Sequence, residues 1–179
     1  MSSSSSKFVV LYVYEPSQLL QPSVHGSHVL FHNEGLLDFD AELGGGDRNI
    51  LQCLTVCYAE VVDVLNSIHE RLNLVRLLAH EETGNFASYQ RDRLVRRWCK
   101  TMSIPFMEFQ QSGVTRRLKD RDDFSKLLNA FMAKPQHPTP DPAIFKGRIL
   151  GRGLELPGQT SELLGPDAMS EIPEPHKVD

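Results

Sequence analysis

The sequence has little cysteine, a single tryptophan and no long apolar run, and each scarcity narrows what the chain can be. Three cysteines, Cys53, Cys57 and Cys99, make no disulfide framework, and the odd count fits a reducing compartment. Cys53 and Cys57 stand four apart, without a second cysteine pair or a suitably spaced histidine pair. They read as small core residues at the end of an apolar strand, with zinc the remote alternative. No apolar stretch approaches the length of a membrane helix, so no membrane partner is expected. The opening "MSSSSSK" lacks the apolar core of an export signal and the arginines of a transit peptide, and residues 1–7 read as a flexible polar leader. The expectation is a soluble, intracellular chain, with cytoplasm, nucleus and plastid all compatible. A net charge of −4 supplies no global field towards nucleic acid or anionic lipid, so binding of that kind would need a local patch.

What is present suits one ordinary globular domain. The 179 residues are 40% hydrophobic and 23% charged, enough for a real core. "FVVLYVY" (Phe8–Tyr14), stopped by Glu15-Pro16, suits a strand buried on both faces. A helix fits His28–Leu43, with Val29, Leu36, Phe39 and Leu43 on one stripe. A strand over Asn49–Val56 and a helix over Ala59–Leu72 follow. Then come a strand over Leu74–His80, a helix over Ser88–Met102, a strand in "PFMEFQ" and a helix over Asp122–Met132. This alternation is that of a parallel sheet with helices on both faces, a Rossmann-like α/β architecture of about four strands. Residues 8–132 form that domain. Residues 133–179, rich in Pro and Gly, read as a largely irregular linker with one helical turn at Thr160–Leu164.

Ligands of open parallel sheets sit outside the carboxyl ends of the strands. Glu81, Glu82, Thr83, Gly84 and Asn85 occupy that position after the third strand. Carboxylates there accept hydrogen bonds from a flat heterocycle or anchor an arginine; the plainer alternative is a solvated turn. In the next helix Leu94, Val95, Trp98 and Met102 share a face, and Arg93, Arg96, Arg97 and Lys100 lie opposite as a solvated surface. Arg91 falls on the apolar side near the helix start, where a guanidinium needs a partner. Glu81 or Glu82 is the nearest. Downstream, Arg116, Arg117 and Lys119 in "GVTRRLKDRDDF" form a candidate contact for phosphate or a partner domain, but Asp120, Asp122 and Asp123 dilute the field, and a solvated surface is the plainer reading. His25, His28 and His32 lack the further ligands of a metal site, "DFDAE" lacks the features of a calcium loop, and no nucleophile–base pair stands out. "GGGDR" and "GRGLELPG" do not make a nucleotide fingerprint.

Together "LYVYEPSQL", "HEETGNFASYQRDRLVRRWC" and "IPFMEFQQSGVTRRLKDRDDF" resemble, in order and spacing, the amino-terminal α/β domain of the cryptochrome and DNA photolyase family. The likeness covers about Phe8–Met132, and the Pro-rich tail is similar to the family's interdomain linker. The resemblance implies a flavoprotein that repairs DNA photoproducts with blue light, as a photo-lyase, or senses light. It implies an antenna pigment, a folate or a deazaflavin, facing Glu81–Asn85 and Arg91. FAD and most DNA contacts belong to a helical domain that would be this chain's partner within a longer parent. The family's first strand, central in its sheet and ending in an Arg-Asp-Leu-Arg type motif, has no counterpart before Phe8, and the helical domain has none before Asp179. The expectation is therefore a truncated, by itself non-catalytic α/β domain whose strands Phe8–Tyr14 and Leu74–His80 lack their common neighbour. The alternatives are a stand-alone Rossmann-like module binding a nucleotide-like ligand or a protein, and a functionless fragment.

Overall fold

The computed structural model describes residues 6–45, 51–150 and 154–165. The fold is mixed α/β and divides into two units, Met1–Arg71 with Pro140–Asp179, and Leu72–Thr139.

In the first unit, β1 (Val10–Tyr14) is the β-branched and aromatic run, and Pro16 at the start of the short helix α1 (Pro16–Leu19) ends it. β1 pairs in parallel with β2 (Leu54–Tyr58), from Val10 opposite Leu54 to Tyr14 opposite Tyr58. Between them runs α2 (Gly26–Asp40), which closes in a wide turn over Ala41–Gly45 where Gly44 takes φ of 109°. His25 caps α2. Its ring accepts from the Ser27 N–H, while the His28 ring accepts from the His25 N–H. The core gathers Tyr14, Val29, Leu51, Leu54 and Val56, flanked by Leu36, Leu37 and Leu164. Phe39, expected on the core stripe, is 45% exposed instead.

The strand expected from Asn49 begins later. Asn49 and Ile50 lie outside the described residues, and the buried Asp40 carboxylate binds the N–H groups of Gln52, Cys53 and Leu54 at 2.5–2.8 Å. Those amides serve the carboxylate and not the sheet, so the ladder starts at Leu54. α3 (Val61–Leu72) then buries Val64, Leu65 and Ile68. Glu15 and Glu60 join the turns crosswise. The Glu15 carboxylate accepts from the Val61 N–H, and Glu60 accepts from the Ser17 N–H and hydroxyl.

The second unit holds β3 (Leu77–His80), α4 (Phe86–Thr101), β4 (Phe106–Phe109) and α5 (Phe124–Met132). β3 and β4 pair in parallel, Leu77 opposite Phe106. Val95, Trp98, Cys99 and Ile104 are buried, and Leu94 of the expected apolar face is 49% exposed. Leu128 of α5 packs so closely on Gly113 that a Cβ there would lie 2.2 Å from its Cδ1.

The single parallel sheet expected from the alternation is thus replaced by two sheets. β1 and β2 are joined by a third strand, β5 (Gln159–Thr160), which runs antiparallel to β2; β3 and β4 form a separate pair. β5 stands where a helical turn was expected. The edge of β2 not taken by β1 offers backbone partners that a one-turn helix lacks, and Gly158, at φ +60°, lets the chain approach the Tyr58 backbone. The tail also contributes a 3₁₀ turn over Pro142–Phe145, a bridge from Ile149 to Phe8 and the buried side chain of Leu156. Among the described residues no helix is long and apolar enough to cross a membrane.

Candidate functional site

The segment after β3 forms a compact turn. The Glu82 carboxylate accepts from the Gly84 N–H at 2.6 Å, and Asn85 caps α4 by accepting from the Ser88 N–H at 3.0 Å. Thr83, Gly84 and Asn85 are exposed. Arg91 reaches back to this turn, its Nη2 lying 3.2 Å from Glu82 and 3.3 Å from Asp92. Glu81 and Glu82 therefore part company. Glu82 locks the turn, whereas Glu81 lines a neighbouring cleft.

That cleft, about 540 Å³, lies within the second unit and is built around Arg116. Arg116 Nε donates to the Glu82 carbonyl at 2.6 Å, Nη1 to Glu108 at 2.6 Å and Nη2 to Asp92 at 2.5 Å. Arg96 also binds Glu108 and lies over the Phe106 ring, 5.7 Å from its centroid. Burial works against the Arg116 charge, but the hydrogen bonds it donates to Asp92 and Glu108 prevail and raise its pKa above the ordinary arginine value. A fork of five N–H donors suits this three-way clamp, which a lysine could not reproduce.

Three further guanidiniums line the cleft: Arg93 and Arg97 on α4, and Arg117 after β4. All three are exposed. Arg117 holds φ of 57° and donates to the Tyr89 hydroxyl at 3.2 Å. Tyr89 is made more acidic by that hydrogen bond and by the charge of Arg117, with smaller contributions from Arg93 and Arg116. The phenol thus sits in a positive field.

Of the residues singled out in the sequence, the structure brings Glu81, Glu82, Arg91, Arg116 and Arg117 into one neighbourhood, while Lys119 is exposed and does not line the cleft. Arg116 is half-buried at the centre of an ion network, not on a solvated surface. Asp92, Glu108 and Tyr89 were missed. For Asp92 and Glu108 the signals were present in the pattern. Asp92 shares a helical face with Val95 and Cys99, and Glu108 alternates with Phe106 on the covered side of β4. Among the described residues no group of three His, Cys, Asp or Glu side chains is placed to hold a metal. His25 and His28 act as caps, and His32 bonds Tyr12. Cys57 is fully buried in β2.

No protein-family model matches the chain, and no curated protein matches it.

Proposed function

We propose that the chain is the α/β portion of a photolyase- or cryptochrome-type flavoprotein, non-catalytic by itself, whose longer parent binds FAD and either repairs DNA photoproducts or senses light. The turn Glu81–Asn85 with Arg91 would face a folate or deazaflavin antenna in that parent. The reading rests on the resemblance of the three segments, and one structural observation supports it most.

That observation is the pairing of the strands. The resemblance makes β1 and β3 the two neighbours of one absent parallel strand. Among the described residues β1 has β2 as its only strand partner and β3 has β4 alone. Leu77 and Glu81 donate to Pro105 and Phe109 on the β4 side, so the alternation of a strand turns the N–H and C=O of Leu78 and His80 to the open edge. On the face shared by Leu78, Met107 and Phe109 the side chains are 43–57% exposed, as expected of a sheet that continues and is covered elsewhere.

The test is to isolate the endogenous polypeptide with antibodies against residues 80–99, and to measure its mass and visible absorbance. A band several times larger than 20.2 kDa with flavin absorbance supports the reading. A flavin-free band near 20.2 kDa sinks it and brings the stand-alone binding module forward.

A further inference from the structure

The second unit carries a cluster of cations that its own carboxylates do not consume. Three carboxylates line the cleft against five guanidiniums, an excess of two positive charges. Asp92 and Glu108 are engaged by Arg116, with Arg91 and Arg96 adding to them. Arg93, Arg97 and Arg117 have no ion-pair partner among the described residues, yet they line one recess with the Tyr89 hydroxyl. A merely solvated face would let such side chains diverge. The backbone points the same way, because Arg117 is held in the left-handed region, a conformation that costs energy for a side chain of this size and concentrates at ligand sites.

We propose that Arg93, Arg97, Arg117 and the Tyr89 hydroxyl form an anion site for the phosphate groups of a small phosphorylated molecule. Guanidiniums bind phosphate oxygens through paired N–H donors, and three of them around one recess match a pyrophosphate or a clustered phosphate better than a single carboxylate. A volume of about 540 Å³ is that of a small-molecule pocket. A nucleic-acid backbone fits less well. Its binding needs a basic track, whereas the chain runs on from Lys119 into Asp120, Asp122 and Asp123, and the whole molecule is net negative. The site is independent of the flavoprotein reading and stands or falls without it.

The experiment is calorimetric titration of the full 179-residue chain at low ionic strength with inorganic pyrophosphate, with ADP, and with a single-stranded DNA oligomer. Pyrophosphate and ADP are expected to bind one site each, and to compete. Arg93→Ala/Arg97→Ala should weaken both by roughly tenfold for each guanidinium removed, with the circular dichroism unchanged because both side chains are exposed. Lys100→Ala removes an exposed cation from the same helix outside the cleft and should leave the affinity within about twofold. Pyrophosphate binding without ADP binding would keep the site but identify its ligand as an inorganic phosphate. Absent pyrophosphate binding, or equal losses from Lys100→Ala and from the arginine variant, would overturn the proposal. So would an arginine-dependent oligomer complex that pyrophosphate cannot displace, which would identify the cleft as a nucleic-acid contact.

Discussion

Replacing Arg116 by alanine tests whether the second unit is organised as described. The substitution removes three hydrogen bonds at 2.5–2.6 Å and leaves Asp92 and Glu108, whose side chains are 13% and 8% exposed, short of a cation. Removing one partner of a buried pair costs about 3–5 kcal/mol. Here Glu108 keeps Arg96 and Asp92 keeps Arg91, so the cost falls just below that range, about 2–3 kcal/mol. A unit of about 70 residues has roughly 4–10 kcal/mol to lose, so the variant should remain folded with a clearly smaller margin. Trp98, the only tryptophan, is buried in α4 and reports on this unit. With a urea dependence of about 1 kcal/mol per molar, the tryptophan midpoint should fall by about 2 M or more. Replacing the pair, Arg116→Met with Asp92→Leu, should cost less than the two single changes together. A midpoint shift below about 0.5 M, or strict additivity in that cycle, would refute the clamp.

Three further outcomes follow from the geometry. Asp40→Ala strips the partners from the amides of Gln52, Cys53 and Leu54, and should destabilise the first unit by about 3 kcal/mol while speeding hydrogen exchange at those amides first. In an alkaline titration followed by phenolate absorbance, Tyr89 should ionise earlier than an ordinary tyrosine, because Arg117 bonds and attracts its phenolate, and Tyr14 should ionise much later, because burial disfavours its charge. Since the folded chain prefers the Tyr89 phenolate, this ionisation adds stability above the ordinary tyrosine range and the gain disappears as pH falls through the lowered pKa. Arg117→Ala should remove the early phase. The Cys57 thiol, pushed up to about 11 by burial, should resist alkylation in the folded chain and react once urea unfolds it, whereas the half-buried Cys53 should react first.

Local chemistry explains which elements were legible. α3 and α4 follow from apolar residues at helical spacing, and Asn85 and Gly84 mark the start of α4. β1 and β4 follow from β-branched and aromatic runs ended by proline or polar turns. That Arg91 needs a carboxylate from the preceding turn was equally legible, but Glu81 and Glu82 both remained open, and the structure selects Glu82 and adds Asp92. Where strands start and with what they pair was less so. Asp40 sets the start of β2 from fourteen positions away, and the edge of β2 draws Gln159 and Thr160 into a strand that their neighbours' composition does not announce.

The sequence by itself determined the longer helices, the main strands and the alternating order of β1 to β4, because each depends on patterning within its own segment, and it narrowed the partner of Arg91 to Glu81 or Glu82. Only the tertiary structure decided that the strands form two sheets, that Arg116 is the centre of an ion clamp, and that Arg93, Arg97 and Arg117 share a cleft with Tyr89. Those facts depend on charges and backbone edges brought together from distant parts of the chain. A guanidinium's role follows from which carboxylates reach it first, and that contest is settled in three dimensions.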